Sequence, residues 1–289
     1  MAHGPNSEIS APVFTVIIPA HDEAAYIGRT LDALRAQDTN APGAVHVIVA
    51  ANGCRDKTAE IARSRIEVFT ERGWHLSVVE IPEGRKTAAI NAAEAIAQPG
   101  PRIFLDADVV CNPALLGQLM QALAPAQPLH ATGRFQIKPP ESAVSRAYAR
   151  TWMRVPFMSA GTPSAGLFAV NAAGRARWGI FPDIIADDIF VRLQFAPRER
   201  VAVPAPYSWI LAEGFGPLVR VRRRWDAGNR QLAVRYPELF RNEDTPPVRM
   251  KDHLQLFLAG PAGYLVYVAV SIAAHARRYD PDHWARGRG

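Results

Sequence analysis

The sequence is poor in cysteine and lysine, and it lacks every glycine-built phosphate motif. Cys54 and Cys111 are the only cysteines in 289 residues, too few for the disulfide framework of a small secreted domain. No metal-ligand spacing surrounds them, which argues against a zinc module. The opening MAHGPNSE has no cationic start followed by an apolar run, so a reducing cytoplasm is the expected compartment. No internal repeat of about 20 to 50 residues occurs, which excludes solenoids and propellers. GTPSAG at 161–166 lacks both the lysine of a phosphate loop and the glycine spacing of a nucleophile elbow, and is given no catalytic weight. With 48% hydrophobic and 21% charged residues, neither a disordered chain nor a many-span membrane protein is expected.

What charge there is lies unevenly. The chain has 33 Lys plus Arg against 27 Asp plus Glu, a net charge of +6. Residues 1–140 carry 12 basic and 14 acidic groups, whereas residues 141–289 carry 21 and 13. That asymmetry points to an anionic partner for the second half. Against it stands a compositional explanation, since 29 of the 33 basic residues are arginine.

The hydrophobic pattern sets the fold class. VFTVIIPA at 13–20 is a continuous apolar, β-branched run of the kind a buried parallel strand shows. Further strands are expected at 45–50, 76–81 and 102–108, with helices over 23–37, 57–72 and 86–97 between them. This alternation implies βαβ crossovers and a mixed, mostly parallel sheet flanked by helices. Beyond 110, helices are expected to about 123 and 153 and over 217–235, a strand over 129–138, and a strand turning into a short helix over 166–179.

Asp106 and Asp108 end the fourth expected strand. Alternation along a strand would put both carboxylates on one side, at the carboxyl edge where open α/β sheets bind ligands. Two hard oxygen donors suit Mg²⁺ or Mn²⁺ bridged to a diphosphate.

Together VIIPAHDEAAYIGRTLDAL, NGCRDKT, GRKTAAIN, FLDAD and ADDIFVRL resemble the family 2 glycosyltransferases over roughly residues 13–235. The resemblance implies the GT-A fold, a hexosyltransferase type of activity and inverting transfer from a nucleotide-diphosphate sugar. Matched position by position, Pro19, Ala20, His21, Asp22 and Glu23 fall in the nucleotide-binding segment; Asp22 and Glu23 would also suit a helix start. Asn52 falls in the acidic loop after the second strand, where many members have an Asp pair and this chain has Ala51 and Asn52. An amide can still pair with a base edge; UDP is the first expectation, with GDP open. Arg85 and Lys86 match the nucleotide-contacting segment and can balance diphosphate charge. Asp106 and Asp108 match the metal and donor site. Asp187 and Asp188 match the acidic pair, with Asp188 the expected base and Asp187 supporting it, although adjacent carboxylates also suit a helix N-terminus. Arg224 and Trp225 fit the end of the Q-x-x-R-W motif of processive members, but Val221 replaces the Gln, which favours a single transfer. Trp225 can stack on an acceptor or anchor its helix.

Expected boundaries are a flexible 1–12, a catalytic domain over 13–236 divided at 110, a linker at 237–250, and a hydrophobic helix with basic tail over 251–289. Leu254 to Ala276 contains no Asp, Glu, Lys or Arg across 23 residues and is followed by Arg277 and Arg278. It can span a bilayer, lie in its interface or dock on the protein's own core. An acceptor at the cytoplasmic face of a membrane is the expectation. Nucleic acid is not expected as a partner, because no recognisable nucleic-acid module is present. Two other classes compete: a nucleotidyltransferase, although PAHDEA lacks the usual Gly-rich loop, and a non-enzymatic basic binder of membrane or nucleic acid.

Overall fold

The structure, a computed structural model, describes residues 14–39, 45–159 and 162–276. The expected flexible segment 1–12 and the pair Arg277 and Arg278 lie outside the described residues. The first half follows the expected alternation: β1 (Phe14–Ala20), α1 (Ile27–Arg35), β2 (Val45–Asn52), α2 (Thr58–Arg63), α3 (Ile66–Glu71), β3 (His75–Ile81), α4 (Lys86–Ile96) and β4 (Arg102–Leu105). The helix expected over 57–72 is broken in two, where Ser64 Oγ turns back onto the Ile61 carbonyl at 2.8 Å and competes with the helical ladder. β4 also stops three residues short of Asp108, so the two aspartates sit in the turn after the strand rather than on it.

The second half adds β5 (Val110–Cys111), α5 (Leu115–Ala122), β6 (His130–Ile137), α6 (Ala143–Trp152), α7 (Pro156–Ser159), β7 (Leu167–Val170), α8 (Ala172–Arg175), α9 (Asp187–Arg192), β8 (Arg200–Trp209) and α10 (Phe215–Arg235). The eight strands form one mixed sheet in the order β3-β2-β1-β4-β7-β6-β8-β5. β1, β2, β3 and β4 pair in parallel, β6 pairs in parallel with β8, and β7 runs antiparallel between β4 and β6. β8 has no counterpart in the expected strands. Pro204 and Pro206 break its alternation and remove two ladder donors.

Each central strand feeds both layers. Val16 and Ile18 of β1 pack in one core cluster and Ile17 in the other, as do Val47 and Val49 against Ile48 in β2. All six are fully buried, each contributing roughly 1.5–3 kcal/mol. The strands of the first half therefore end together, and the loops after β1, β2, β3 and β4 converge on one edge.

The C-terminal region departs from expectation twice. The first part of the supposed linker at 237–250 is packed, whereas residues 246–249 are exposed and without regular structure: Pro237–Asn242 forms a 3-10 turn that buries Leu239, and Glu243 and Asp244 receive the buried Arg192 guanidinium at 3.0 and 2.7 Å. The charges compensate one another, which is the condition under which arginine tolerates burial. The apolar stretch is also not one helix. α11 (Met250–Ala259) and α12 (Pro261–His275) are separated at Gly260, with Pro261 in the first turn of the second helix. At 15 residues, α12 is about 22 Å long, short of a hydrocarbon core of about 30 Å. Among the described residues no helix is long and apolar enough to cross a membrane. One face of α12 docks on α6 and α10. Gly263 permits this, since a Cβ there would lie 2.8 Å from the Ala147 carbonyl oxygen and 2.9 Å from Thr151 Oγ1.

Candidate active site

A cleft of about 1150 Å³ opens at the carboxyl edge of β1, β2 and β4. Its floor at one end is the pair of loops after β1 and β2, stapled to one another. His21 Nδ1 donates to the Asn52 carbonyl oxygen, and the Asp22 carboxylate accepts the backbone N–H groups of Arg55 and Asp56. The Glu23 N–H donates to Thr58 Oγ1 at 2.7 Å, and the Ala24 N–H to Asp56 Oδ2 at 3.0 Å. Asp22 holds a left-handed φ of 49°, a conformation these contacts sustain. Asp22 and Glu23 thus clamp two loops together and do not cap α1, which starts at Ile27. Asp22, Cys54 and Asp56 bring three potential metal-ligating atoms within 4.8 Å of one another. The backbone donors already engaged by both carboxylates make this a loop staple.

Pro19, His21, Glu23 and Asn52 all line the cleft. Ala20 does not; it is buried, and its carbonyl accepts the Cys54 thiol at 3.4 Å. Asn52 is 2% exposed, and its Oδ1 is buried without a hydrogen-bond partner among the described residues. A buried, unpaired carbonyl oxygen costs roughly 1–3 kcal/mol, so its presence in a cleft marks a place for a donor from a ligand.

Deeper in the cleft an acidic group surrounds one ammonium. Lys86, the first residue of α4, places Nζ 2.9 Å from Asp106 Oδ1 and 3.0 Å from Asp187 Oδ2. The second contact is ionic, without hydrogen-bond alignment. Burial disfavours the lysine charge, but Asp106, Asp187 and Asp188 outweigh it and hold the ammonium above its ordinary pKa. Asp108 shares the turn with Asp106 and lines the same cleft. Asp187 and Asp188 open α9, yet neither caps it; the position before them is Ala186. Asp187 is buried, whereas Asp188 is partly open to the cleft. Burial first, then the Asp187 charge, pushes the Asp188 carboxyl up to about 6, and burial also raises Asp187. Arg85 lines the mouth and pairs with Asp183 at 2.6 Å, both groups largely exposed.

The far end is aromatic. Trp225 stacks on Trp152 with ring centroids 5.0 Å apart, and Trp209 lies 6.1 Å from each. Trp225 therefore anchors α10 while it lines the cleft beside Arg224. Of the neighbouring arginines, Arg222 is spent on Asp226 at 3.0 Å, and Arg223 caps the Ala273 and Ala274 carbonyls at the end of α12.

The model of the family described as glycosyl transferase family 2 matches residues 15–176, more than half of the chain. The chain belongs to glycosyl transferase family 2. Its matched part holds the stapled loops, Lys86, Asp106 and Asp108, and ends before Asp187 and Asp188. No curated protein is similar enough in sequence to count as a relative. Among solved structures, the mannosyltransferase PcManGT from Pyrobaculum calidifontis, in complex with GDP-Man and Mn²⁺, is 23% identical with a TM-score of 0.60, covering 93% of this chain and 77% of its own. TarS 1-349 from S. aureus, in complex with UDP, is 15% identical with a TM-score of 0.51, covering 92% of each chain. At these identities the likeness shows the shared GT-A fold.

In this glycosyltransferase the residues that sequence reasoning passed over are those that shape the site from behind. Gly166, in the segment given no weight, has φ +77° and its carbonyl accepts the Asp106 N–H at 2.9 Å. A Cβ there would meet Val109 at 3.0 Å, Trp209 at 3.1 Å and Asp106 Oδ2 at 3.6 Å. Gly166→Ala is expected to cost roughly 1–2 kcal/mol through its left-handed φ alone and to weaken nucleotide binding by moving Asp106. Calorimetric titration with nucleotide checks this; unaltered binding would separate Gly166 from the acidic group. Gly228 of α10 admits the segment before Asp187, since a Cβ there would stand 3.0 Å from Ala186 Cβ, and Gln231 Oε1 accepts the Ile185 N–H at 2.9 Å. Thus α10, the loop after β4 and α4 fix the acidic group from three sides.

Proposed function

We propose that the enzyme transfers a sugar, with inversion, from a nucleotide-diphosphate sugar to a hydroxyl of a membrane-associated acceptor, using Mg²⁺ or Mn²⁺. The observation that carries this reading is a cleft lined by Asp106, Asp108, Asp187 and Asp188, with Lys86 paired to Asp106 and Asp187, that also contains the buried side-chain oxygen Oδ1 of Asn52. Four carboxylates against one ammonium leave a concentrated negative charge, and the two on the β4 turn are hard oxygen donors, the set a divalent cation prefers. Asp106 and Asp108 would hold the ion. When bound, it would neutralise the diphosphate and stabilise it as a leaving group. The similar structures, solved in complex with GDP-Man and Mn²⁺ or with UDP, support a nucleoside diphosphate here. Asn52 Oδ1 suits the imide N–H of uracil, which favours UDP, although a guanine N–H fits the same acceptor.

The chain's own groups divide the work. Lys86 at the start of α4 meets the diphosphate with a point charge at a helix N-terminus. Asp187 holds Lys86 in place, and Asp188, open to the cleft, takes the proton of the acceptor hydroxyl. The acceptor oxygen bonds to the anomeric carbon as the bond from that carbon to the diphosphate oxygen breaks. Trp152, Trp209 and Trp225 offer an apolar wall to an acceptor.

Incubation with UDP- and GDP-sugars and Mn²⁺ should release nucleoside diphosphate; no release from any donor would overturn the reading. A second consequence concerns pH. A base whose pKa is raised is protonated, and lost, as pH falls through that value. The kcat/KM profile is therefore expected to fall below about pH 6; an acid limb at the ordinary carboxylate value would remove Asp188 from the role.

A further inference from the structure

Docking on α6 and α10 satisfies only one side of α12. Its exposed residues are Pro261, Ala262, Leu265, Ala269 and Ile272, all apolar, with His275 in the last turn the one exposed polar side chain. Leu265 is 60% and Ile272 66% exposed. A helix on the surface of a soluble domain ordinarily turns a polar face outward. α11 continues the patch, with Met250 83%, Leu254 59% and Leu258 70% exposed at four-residue spacing. Tyr264 fastens the two helices together, through its hydroxyl with His253 at 3.1 Å and its ring with Phe257 at 5.8 Å. The result is a rigid apolar ledge, which a monomeric soluble protein would not be expected to expose.

Cations border it. Arg146 and Arg150 lie on the exposed flank of α6, each one residue before Ala147 and Thr151, which touch Gly263. Arg154 continues the four-residue spacing and donates to the Ala259 carbonyl at the corner of the two helices. Among the described residues none of the three arginines forms an ion pair, although Arg146 Nη1 donates to the Pro140 and Glu141 carbonyls and leaves its other guanidinium nitrogens for a headgroup. Lys251 is exposed on α11, while the neighbouring acid, Asp252, accepts the Arg249 N–H. The ledge is continuous with the cleft, which is lined by the exposed Val248 just before α11 and by Tyr267 of α12.

We infer that α11 and α12 seat the enzyme in the plane of an anionic lipid surface, with the apolar stripes in the acyl boundary and Arg146, Arg150, Arg154 and Lys251 at the headgroups. The helices are too short to span, and an apolar face rimmed by cations is the pattern of an interfacial anchor. The inference rests on the proposed function only in giving the cleft a membrane-borne acceptor to face.

The test is sedimentation of the full chain with vesicles of phosphatidylcholine alone and of phosphatidylcholine with phosphatidylglycerol. The wild type should pellet with the anionic vesicles and be released by salt. Leu265→Glu/Ile272→Glu should lower vesicle affinity at least about tenfold, and Arg146→Glu/Arg150→Glu should abolish the preference for anionic lipid. The melting shift caused by nucleotide with Mn²⁺, read on the same variants, should be retained because none of these residues lines the cleft. Absence of wild-type binding to either vesicle overturns the seat, even if sugar transfer is observed. So does a wild-type dimer in sedimentation velocity that the Leu265/Ile272 variant dissociates, because a second copy would then cover the ledge. Loss of the nucleotide shift in the wild type with vesicle binding intact would instead count against the proposed function.

Discussion

Asp188→Asn should lower sugar transfer by roughly 10²–10⁴-fold, the usual contribution of a positioned general base, while nucleotide affinity stays within about twofold of wild type. The reason lies in how the two adjacent acids differ. Asp187 is buried and its charge faces Lys86 rather than the open cleft. Asp188 opens to the cleft, and Ile189 N–H, at 2.9 Å from Oδ1, fixes its orientation. Burial and the Asp187 charge raise its proton affinity, which improves it as a base near neutrality without changing how the donor is held. The amide preserves shape and the Ile189 contact but cannot accept the proton. The check is a split between kcat, which should fall, and nucleotide Kd, which should not. Full activity in the amide variant would move the base elsewhere.

Asp106→Asn combined with Asp108→Asn should have an effect of the opposite kind. Both carboxylates proposed to hold the cation are lost, and Lys86 loses its 2.9 Å partner. Transfer should drop by at least roughly 10²–10³-fold, the scale set by removing preorganised charge at a developing anion. Here, unlike the Asp188 variant, Mn²⁺-dependent nucleotide binding should disappear as well. Some stability should be lost as well, because Asp108 is buried and Lys86 loses an ion-pair partner inside the cleft. Circular dichroism melting alongside calorimetric titration separates the two effects.

The sequence carried the acidic strings well because each is local. FLDAD and ADDIFVRL each place their aspartates within a few residues of an apolar run that fixes the element, and the structure brings both to one cleft. The alternation argument for Asp106 and Asp108 does not survive, since β4 ends at Leu105 and the turn aims them instead. What was illegible depends on contacts far apart in the chain. No local pattern announces that Gly166 stands behind Asp106, that Gly228 makes room before Asp187, or that Trp225 stacks on Trp152. β8 was hidden by its own prolines, and the packing of Glu243 and Asp244 by the polarity that made 237–250 resemble a linker. The apolar stretch at 254–276 has the length of a span but not its continuity, because Gly260 and Pro261 divide it.

The central claim is that Asp106 and Asp108 hold a cation that holds the nucleoside diphosphate. Thermal unfolding of the full chain with UDP or GDP, with and without Mn²⁺, tests it most directly. With Mn²⁺ and nucleotide at about a hundred times Kd, the native state gains about 2.7 kcal/mol, so Tm should rise by several degrees. The rise should be absent without the metal and absent in the Asp106/Asp108 variant. An equal rise without Mn²⁺, or in that variant, would contradict the account.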